Sequence, residues 1–157
     1  MLSDSRKDLA TEMSAYKAYH QTRGNRFSHF LGIPLIVFSL FCALGWFSFA
    51  PSDVPISAAT LFLLGTFFFY LRIHKKLALG FLLWSFPLYL LADEVATMAF
   101  PISLVITVTA FVMGWIFQLL GHAWEKNRPA FFTNFEHLWR GPLFITYEGM
   151  KFLGIKV

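Results

Sequence analysis

Hydrophobic and polar positions follow each other in long blocks along the chain. Uncharged apolar stretches occupy residues 30–51, 54–71, 77–92 and 97–121, and short polar segments separate them. A membrane-spanning helix needs about 20 mostly apolar residues, and a shorter one fits by tilting or by snorkelling of its flanking side chains. The pattern therefore predicts an all-α protein, a single integral membrane domain over residues 1–157 with four transmembrane helices.

The breaks between the predicted spans contain charged residues or proline. They fall at Pro51 to Asp53, at Arg72 to Lys76 and at Asp93-Glu94. We expect Asp93-Glu94 to form a loop. Pro34 is expected in the first turn of the first span, where proline is tolerated, and Pro87 lies inside the third span and should kink it.

The polar ends of the chain predict interfacial helices that flank the bundle. Four residues before the first span share one helical face: Leu9, Met13, Tyr16 and His20. Gly24-Asn25 follows, a pair typical of a turn that ends a helix. Aromatic and apolar residues after the last span predict a second interfacial helix: Phe131, Phe132, Phe135, Leu138 and Trp139. We expect Gly141-Pro142 to end it.

Composition and charge strengthen the membrane interpretation. Charged residues make up 14% of the chain, whereas a soluble domain has about 25%. All 13 Lys and Arg residues lie before the first span, between the second and third, or after the fourth. The positive-inside rule then places these segments and both termini in the cytoplasm. We expect a bacterial inner membrane rather than the endoplasmic reticulum, because the chain has no C-terminal retrieval signal.

Other functional classes are disfavoured. The basic residues flank the spans and do not form a nucleic-acid surface, so we expect no nucleic-acid partner. The single cysteine, Cys42, excludes an intramolecular disulfide and any CxxC site. The predicted partner is the lipid bilayer itself.

All five histidines fall on the predicted cytoplasmic side: His20, His29, His74, His122 and His137. None lies at the centre of a span, which disfavours a proton relay at the bilayer midplane. His74 stands among basic residues and favours a solvated loop. His137 lies in the predicted C-terminal interfacial helix, and either histidine remains open as an additional metal ligand.

Two polar groups, one before the first predicted span and one at the end of the fourth, are candidates for chemistry. His20 and His29 flank Gly24-Asn25, and a chain break there would let both imidazoles converge on a metal, although such pairs are also common without one. Gln118, His122 and Glu125 share one helical face. A carboxylate and an imidazole at this spacing either bind a metal or form a polar cap at the membrane interface.

A glycine accompanies the second polar group. Gly121 directly precedes His122 and allows a neighbouring helix to approach closely.

Taken in order, these residues resemble two signatures of a small membrane-protein family. Its founding member is the fungal endoplasmic-reticulum dioxygenase of fatty-acid α-oxidation, and it has many bacterial relatives. The matching blocks are Tyr16-x3-His20-x4-Asn25-x3-His29-x2-Gly32-Ile33-Pro34 and Gln118-x2-Gly121-His122-x2-Glu125-x3-Pro129-Ala130. Together with the four-span layout, the match extends over nearly the whole chain. Trp124 departs from the usual phenylalanine, and His74 stands where relatives often have an acidic residue.

The resemblance implies an iron(II)-dependent dioxygenase that uses O2 to shorten a 2-hydroxy fatty acid by one carbon. Carried over by position, the iron ligands would be His20, His29 and His122. Imidazole ligands suit iron(II), and partial protein ligation leaves positions for substrate and oxygen.

The same resemblance suggests roles for the polar neighbours of the ligands. Gln118 and Glu125 would orient a ligand imidazole, and Asn25 and Tyr16 would hydrogen-bond substrate or oxygen. Arg23 or Arg26 would pair with the substrate carboxylate or with lipid phosphate. Two alternatives remain: another metal-dependent lipid enzyme such as a zinc hydrolase, and a non-enzymatic lipid-binding membrane protein.

Overall fold

The computed structural model describes residues 22–49, 56–125 and 137–157, the first three of the last range by their backbone alone. This part of the chain forms five helices: α1 (Arg23–Gly45), α2 (Ala58–Ile73), α3 (Lys75–Thr97), α4 (Phe100–Glu125) and α5 (His137–Phe152). Two short strands, β1 (Ser48–Phe49) and β2 (Ile56–Ser57), pair antiparallel between α1 and α2, with Ser48 opposite Ser57. The all-α prediction is therefore confirmed for the helical bundle.

Within the described residues, α1, α3 and α4 are long and apolar enough to cross a membrane. The α2 helix is apolar but shorter, with 16 residues, so the fourth span stays a prediction. Large apolar side chains remain exposed along the bundle, as lipid-facing positions require. Examples are Phe69, Leu83 and Val105.

Contacts at the two ends of the bundle show that α1 and α4 run antiparallel. At one end Trp46, just after α1, donates an indole hydrogen bond of 2.8 Å to the Ser103 hydroxyl near the start of α4. At the other end Thr22 meets Glu125. The α3 helix begins at this second end, where Lys76 Nζ donates a 2.6 Å hydrogen bond to the Lys156 carbonyl.

This arrangement places basic residues of the described chain together at one end of the bundle. Basic residues lie at the end where α1 begins and α4 finishes, among them Arg23, Arg26, Lys75 and Lys76. Asp93-Glu94 lies near the end of α3, where Gly45 of α1 approaches Ala96. The fold therefore brings these basic residues to one end, as their placement in the sequence predicted.

The bundle is built around an apolar core shared by α1, α2 and α3. Phe41, Tyr70 and Phe81 are almost completely buried there, and the rings of Tyr70 and Phe81 meet edge to face with centroids 5.0 Å apart. The amphipathic α5 adds Leu143 and Phe144 to the same core. Burial of this face fixes α5 against the bundle.

The start of α1 corrects two expectations. Gly24-Asn25 does not end a helix but lies in the first turn of α1. The reason is Thr22, whose hydroxyl accepts a 3.2 Å hydrogen bond from the Asn25 backbone N–H and so caps the helix. Because the helix begins this early, Pro34 lies in its interior and not in its first turn.

Two predicted breaks are also absent. Asp93-Glu94 lies inside α3, and Gly141-Pro142 lies inside α5. In α5 the packing of Leu143 and Phe144 outweighs the local Gly-Pro signal, since tertiary contacts routinely override propensity. The predicted N-terminal helix and residues 131–135 lie outside the described residues.

Candidate active site

The candidate site forms where α1 and α4 approach each other most closely. A β-carbon at Gly32 would lie 2.7 Å from the Gly114 carbonyl oxygen, and one at Gly121 would collide with the Ser28 hydroxyl. Such contacts require glycine, and small residues are what membrane helices use to pack closely. The expectation that Gly121 allows a close helix approach is confirmed.

This packing brings His29 of α1 and His122 of α4 together. Their rings meet edge to face with centroids 4.9 Å apart, and the two residues are 1% and 4% exposed. An imidazole nitrogen lies about 2 Å from a metal it binds, so two imidazoles on one ion have centroids roughly 5 Å apart. The separation fits a shared metal ion.

The hydrogen bond of His29 fixes which nitrogen is available to such an ion. His29 Nδ1 lies 2.9 Å from the Asn25 backbone oxygen. A carbonyl oxygen can only accept, so Nδ1 carries a proton, and in the neutral imidazole Nε2 then keeps its lone pair. A backbone carbonyl on the second ring nitrogen is the usual partner of a metal-binding histidine. His29 is therefore held in the protonation state of a metal ligand.

Glu125 forms a contact between the two helices that the sequence did not indicate. Its Oε1 accepts hydrogen bonds from the Thr22 backbone N–H at 2.6 Å and from the Thr22 hydroxyl at 3.1 Å. Glu125 thus joins the end of α4 to the start of α1, one turn beyond His122. These two hydrogen bonds align the helices, and the role of Glu125 beside a ligand imidazole stays a prediction.

Two further polar side chains are buried between the same helices. Asn25 is fully buried beside Gly121. Gln118 is 7% exposed, and its Nε2 lies next to Gly32, at 3.0 Å from a β-carbon placed there. Both predicted polar partners therefore lie in the contact region that contains the two histidines.

The two arginines proposed as carboxylate partners differ in their surroundings. Arg26 forms an ion pair of 3.5 Å with Glu148 of α5. Arg23 is exposed at the start of α1. The ion pair ties α5 to the helix that contains His29.

The remaining predicted residues are not joined to this pair in the described chain. His20 and Tyr16 lie outside the described residues, as does the side chain of His137. His74 is the single residue between α2 and α3. The described ranges contain no group of three His, Cys, Asp or Glu side chains arranged around one point, so they supply two of the three predicted ligands.

Sequence reasoning missed Thr22, Ser28 and the pairing of Gly32 with Gly114. A threonine directly before a helix is a known capping signal, and it would have been found had the start of α1 been placed correctly. The contact partners of Ser28 and Gly32 come from α4, and no local signal in the sequence identifies them.

Fold and site together define a membrane protein of packed apolar helices, with a buried histidine pair near one end of the bundle. The chain belongs to the Mpo1-like family: residues 6–152 match the family model described as 2-hydroxy-palmitic acid dioxygenase Mpo1-like.

A curated relative supports the same assignment. The chain is 33% identical over 149 residues to the 2-hydroxy-palmitic acid dioxygenase MPO1 of Saccharomyces cerevisiae, covering 94% of this chain and 82% of the yeast protein. No solved structure matches the chain.

Proposed function

We propose that this protein is an iron(II)-dependent dioxygenase that shortens 2-hydroxy fatty acids by one carbon. Family membership supports the reaction class and the substrate, since both the family and the yeast relative are described as 2-hydroxy-palmitic acid dioxygenases. The observation that supports the metal is the His29–His122 pair, with its 4.9 Å centroid separation. Atoms balance when one 2-hydroxy acid and one O2 give the shortened acid, CO2 and one water.

His29 and His122 would hold the ion together with His20. The buried histidine pair offers nitrogen donors from two helices, a donor set that suits iron(II). Bound iron(II) would supply O2 activation and positions for the hydroxyl and carboxylate oxygens of the substrate.

The side chains around the ligands orient and enclose the site. The Asn25 carbonyl keeps the proton on His29 Nδ1, and the close contact of α1 with α4 excludes bulk water from the pair. Tyr16 and the Asn25 amide would hydrogen-bond substrate or oxygen, and Glu125 and Gln118 would act beside the ligands. The exposed apolar faces of the helices would accommodate the acyl chain.

The proposed setting is a four-span protein of a bacterial inner membrane with both termini in the cytoplasm. In support, α2 adds a fourth apolar helix to the three longer ones, and the described basic residues cluster at one end of the bundle. A fatty acid would then reach the histidine pair with its head group at the cytoplasmic interface.

Metal analysis of the detergent-purified protein tests this function. About one iron per chain is expected, lost in His122→Ala and His29→Ala, with O2-dependent conversion of 2-hydroxypalmitate to pentadecanoate. His74→Ala is the matched histidine control, because it lies in the α2–α3 connection, and it should retain both iron and activity.

Three outcomes would contradict the proposal. Zinc at one equivalent with O2-independent turnover would favour a hydrolase. Absence of metal after reconstitution with iron would favour a lipid-binding protein. Full activity in His122→Ala would remove that residue from the ligand set.

A further inference from the structure

Gln118 contains a buried hydrogen-bond donor that the fold does not use. The residue is 93% buried, the complement of its 7% exposure, and its Nε2 has no hydrogen-bond partner among the described residues. Buried polar groups in native proteins are nearly always paired, so an exception requires an explanation. An amide N–H group does not bind metals, and what it lacks is an acceptor.

Two buried hydroxyl groups near the start of α4 have hydrogen-bond partners. The Thr107 hydroxyl donates to the Ser103 carbonyl at 2.8 Å, and the Ser103 hydroxyl accepts from Trp46. The Gln118 amide nitrogen differs from these two hydroxyl groups, since it has no hydrogen-bond partner among the described residues. Its position is also specific, since it lies one helical turn before His122 and on the same face.

Gly32 of the opposite helix packs closely against the Gln118 amide. Gly32 stands across from Gln118, where even a β-carbon would lie 3.0 Å from Nε2, and it follows His29 by one turn of α1. The amide therefore lies in the layer next to the histidine pair, at the contact between α1 and α4. A ligand at the histidine pair would extend into this layer.

A 2-hydroxy acid supplies the missing acceptor. When its hydroxyl and one carboxylate oxygen occupy a metal, the second carboxylate oxygen still needs a donor. Arg26, the nearest cation to His29 along α1, is engaged with Glu148. In a site of low polarity a neutral amide donor stabilises a carboxylate oxygen well, because hydrogen bonds to charged groups are the strong ones.

We propose that Gln118 Nε2 donates a hydrogen bond to a carboxylate oxygen of the bound 2-hydroxy fatty acid and so selects acids over other 2-hydroxy lipids. The inference rests on the proposed function and adds a specificity-determining residue to it.

The test is anaerobic binding to the iron-loaded protein of two lipids that differ in one group. 2-Hydroxypalmitate has the carboxylate, whereas 1,2-hexadecanediol has a hydroxyl in its place. In Gln118→Met the affinity for the acid should fall about tenfold, the change that one hydrogen bond to a charged group produces, and the affinity for the diol should stay the same. Gln118→Glu keeps the shape but adds a negative charge, so it should bind the acid more weakly still.

Thr107→Val is the matched control, a buried polar residue of α4 that already has its partner, and it should bind both lipids like the wild type. Iron content and the thermal midpoint of Gln118→Met should equal or exceed those of the wild type, because the variant removes an unsatisfied donor. Equal loss for acid and diol, or loss of iron, would assign Gln118 a structural role and overturn the inference alone. Wild-type protein that binds iron but not the acid would overturn the proposed function as well.

Discussion

Glu125, the last residue of α4, accepts two hydrogen bonds from Thr22, the residue that caps α1, at 2.6 and 3.1 Å. A carboxylate at the N-terminus of a helix is stabilised by the helix dipole and by the free N–H groups there. The contact joins segments 103 residues apart and lies one turn from His122. It therefore fixes how α1 and α4 are aligned at the level of the histidine pair.

This contact predicts different outcomes for two Glu125 variants. Glu125→Ala should lower stability by about 1 kcal/mol, because Thr22 is exposed and water replaces part of the lost interaction, and it should reduce iron content. Glu125→Gln should retain most of the stability and most of the iron, since its amide oxygen still accepts hydrogen bonds. Thermal unfolding and metal analysis measure the effects. If Glu125→Gln were as inactive as Glu125→Ala while keeping its iron, the carboxylate would take part in proton transfer.

The close glycine contacts between α1 and α4 predict that even one added methyl group destabilises the protein. Gly32→Ala places a methyl group 2.7 Å from a backbone oxygen of α4. The substitution should lower the free energy of unfolding by about 1–3 kcal/mol and separate His29 from His122. Gly65→Ala is the control, because a β-carbon there meets no atom within 4 Å. It should leave the thermal midpoint and the iron content unchanged. Similar behaviour of the two variants would contradict the close contact.

The hydrogen bond between His29 and the Asn25 carbonyl predicts the tautomer of the histidine. In metal-free protein, the neutral imidazole of His29 should have its proton on Nδ1. Nitrogen NMR of protein labelled at histidine, assigned with His29→Gln, distinguishes the two tautomers. A proton on Nε2 would contradict this prediction, because that nitrogen would then have no lone pair for a metal ion.

The ion pair between Arg26 and Glu148 predicts an asymmetric response. The Glu148 side chain is 10% exposed and that of Arg26 is 41% exposed. Arg26→Ala leaves a mostly buried carboxylate without this cation, whereas Glu148→Ala leaves an arginine that can turn to solvent. Arg26→Ala should therefore lower the thermal midpoint more than Glu148→Ala does. Equal decreases of the thermal midpoint in the two variants would mean that the pair contributes through packing alone.

The charge segregation predicts the topology in the membrane. Single cysteines at Asp93 and Lys151, introduced in a Cys42→Ser background, should react with a membrane-impermeant maleimide from opposite sides. In intact cells Asp93→Cys should be labelled, and Lys151→Cys only after permeabilisation. Labelling of both from one side would exclude the proposed arrangement.

Much of this protein follows from its sequence alone. Apolar blocks and the placement of Lys and Arg are local properties, and they identified the helices, their membrane character and the end of the bundle where the histidines lie. The spacing of the polar residues around His29 and His122 can also be read from the sequence. Local signals failed at Gly24-Asn25, Asp93-Glu94 and Gly141-Pro142, where capping or burial of neighbouring residues outweighs the propensity of a single pair.

Only the tertiary structure decided which residues meet. His29 and His122 are distant in the chain, and their contact depends on glycines on two helices that permit a close approach. The same packing gave Glu125 its partner Thr22 and left the Gln118 amide nitrogen without a partner among the described residues. Such pairings depend on how two helix surfaces fit together, and no periodicity within either helix specifies the partner.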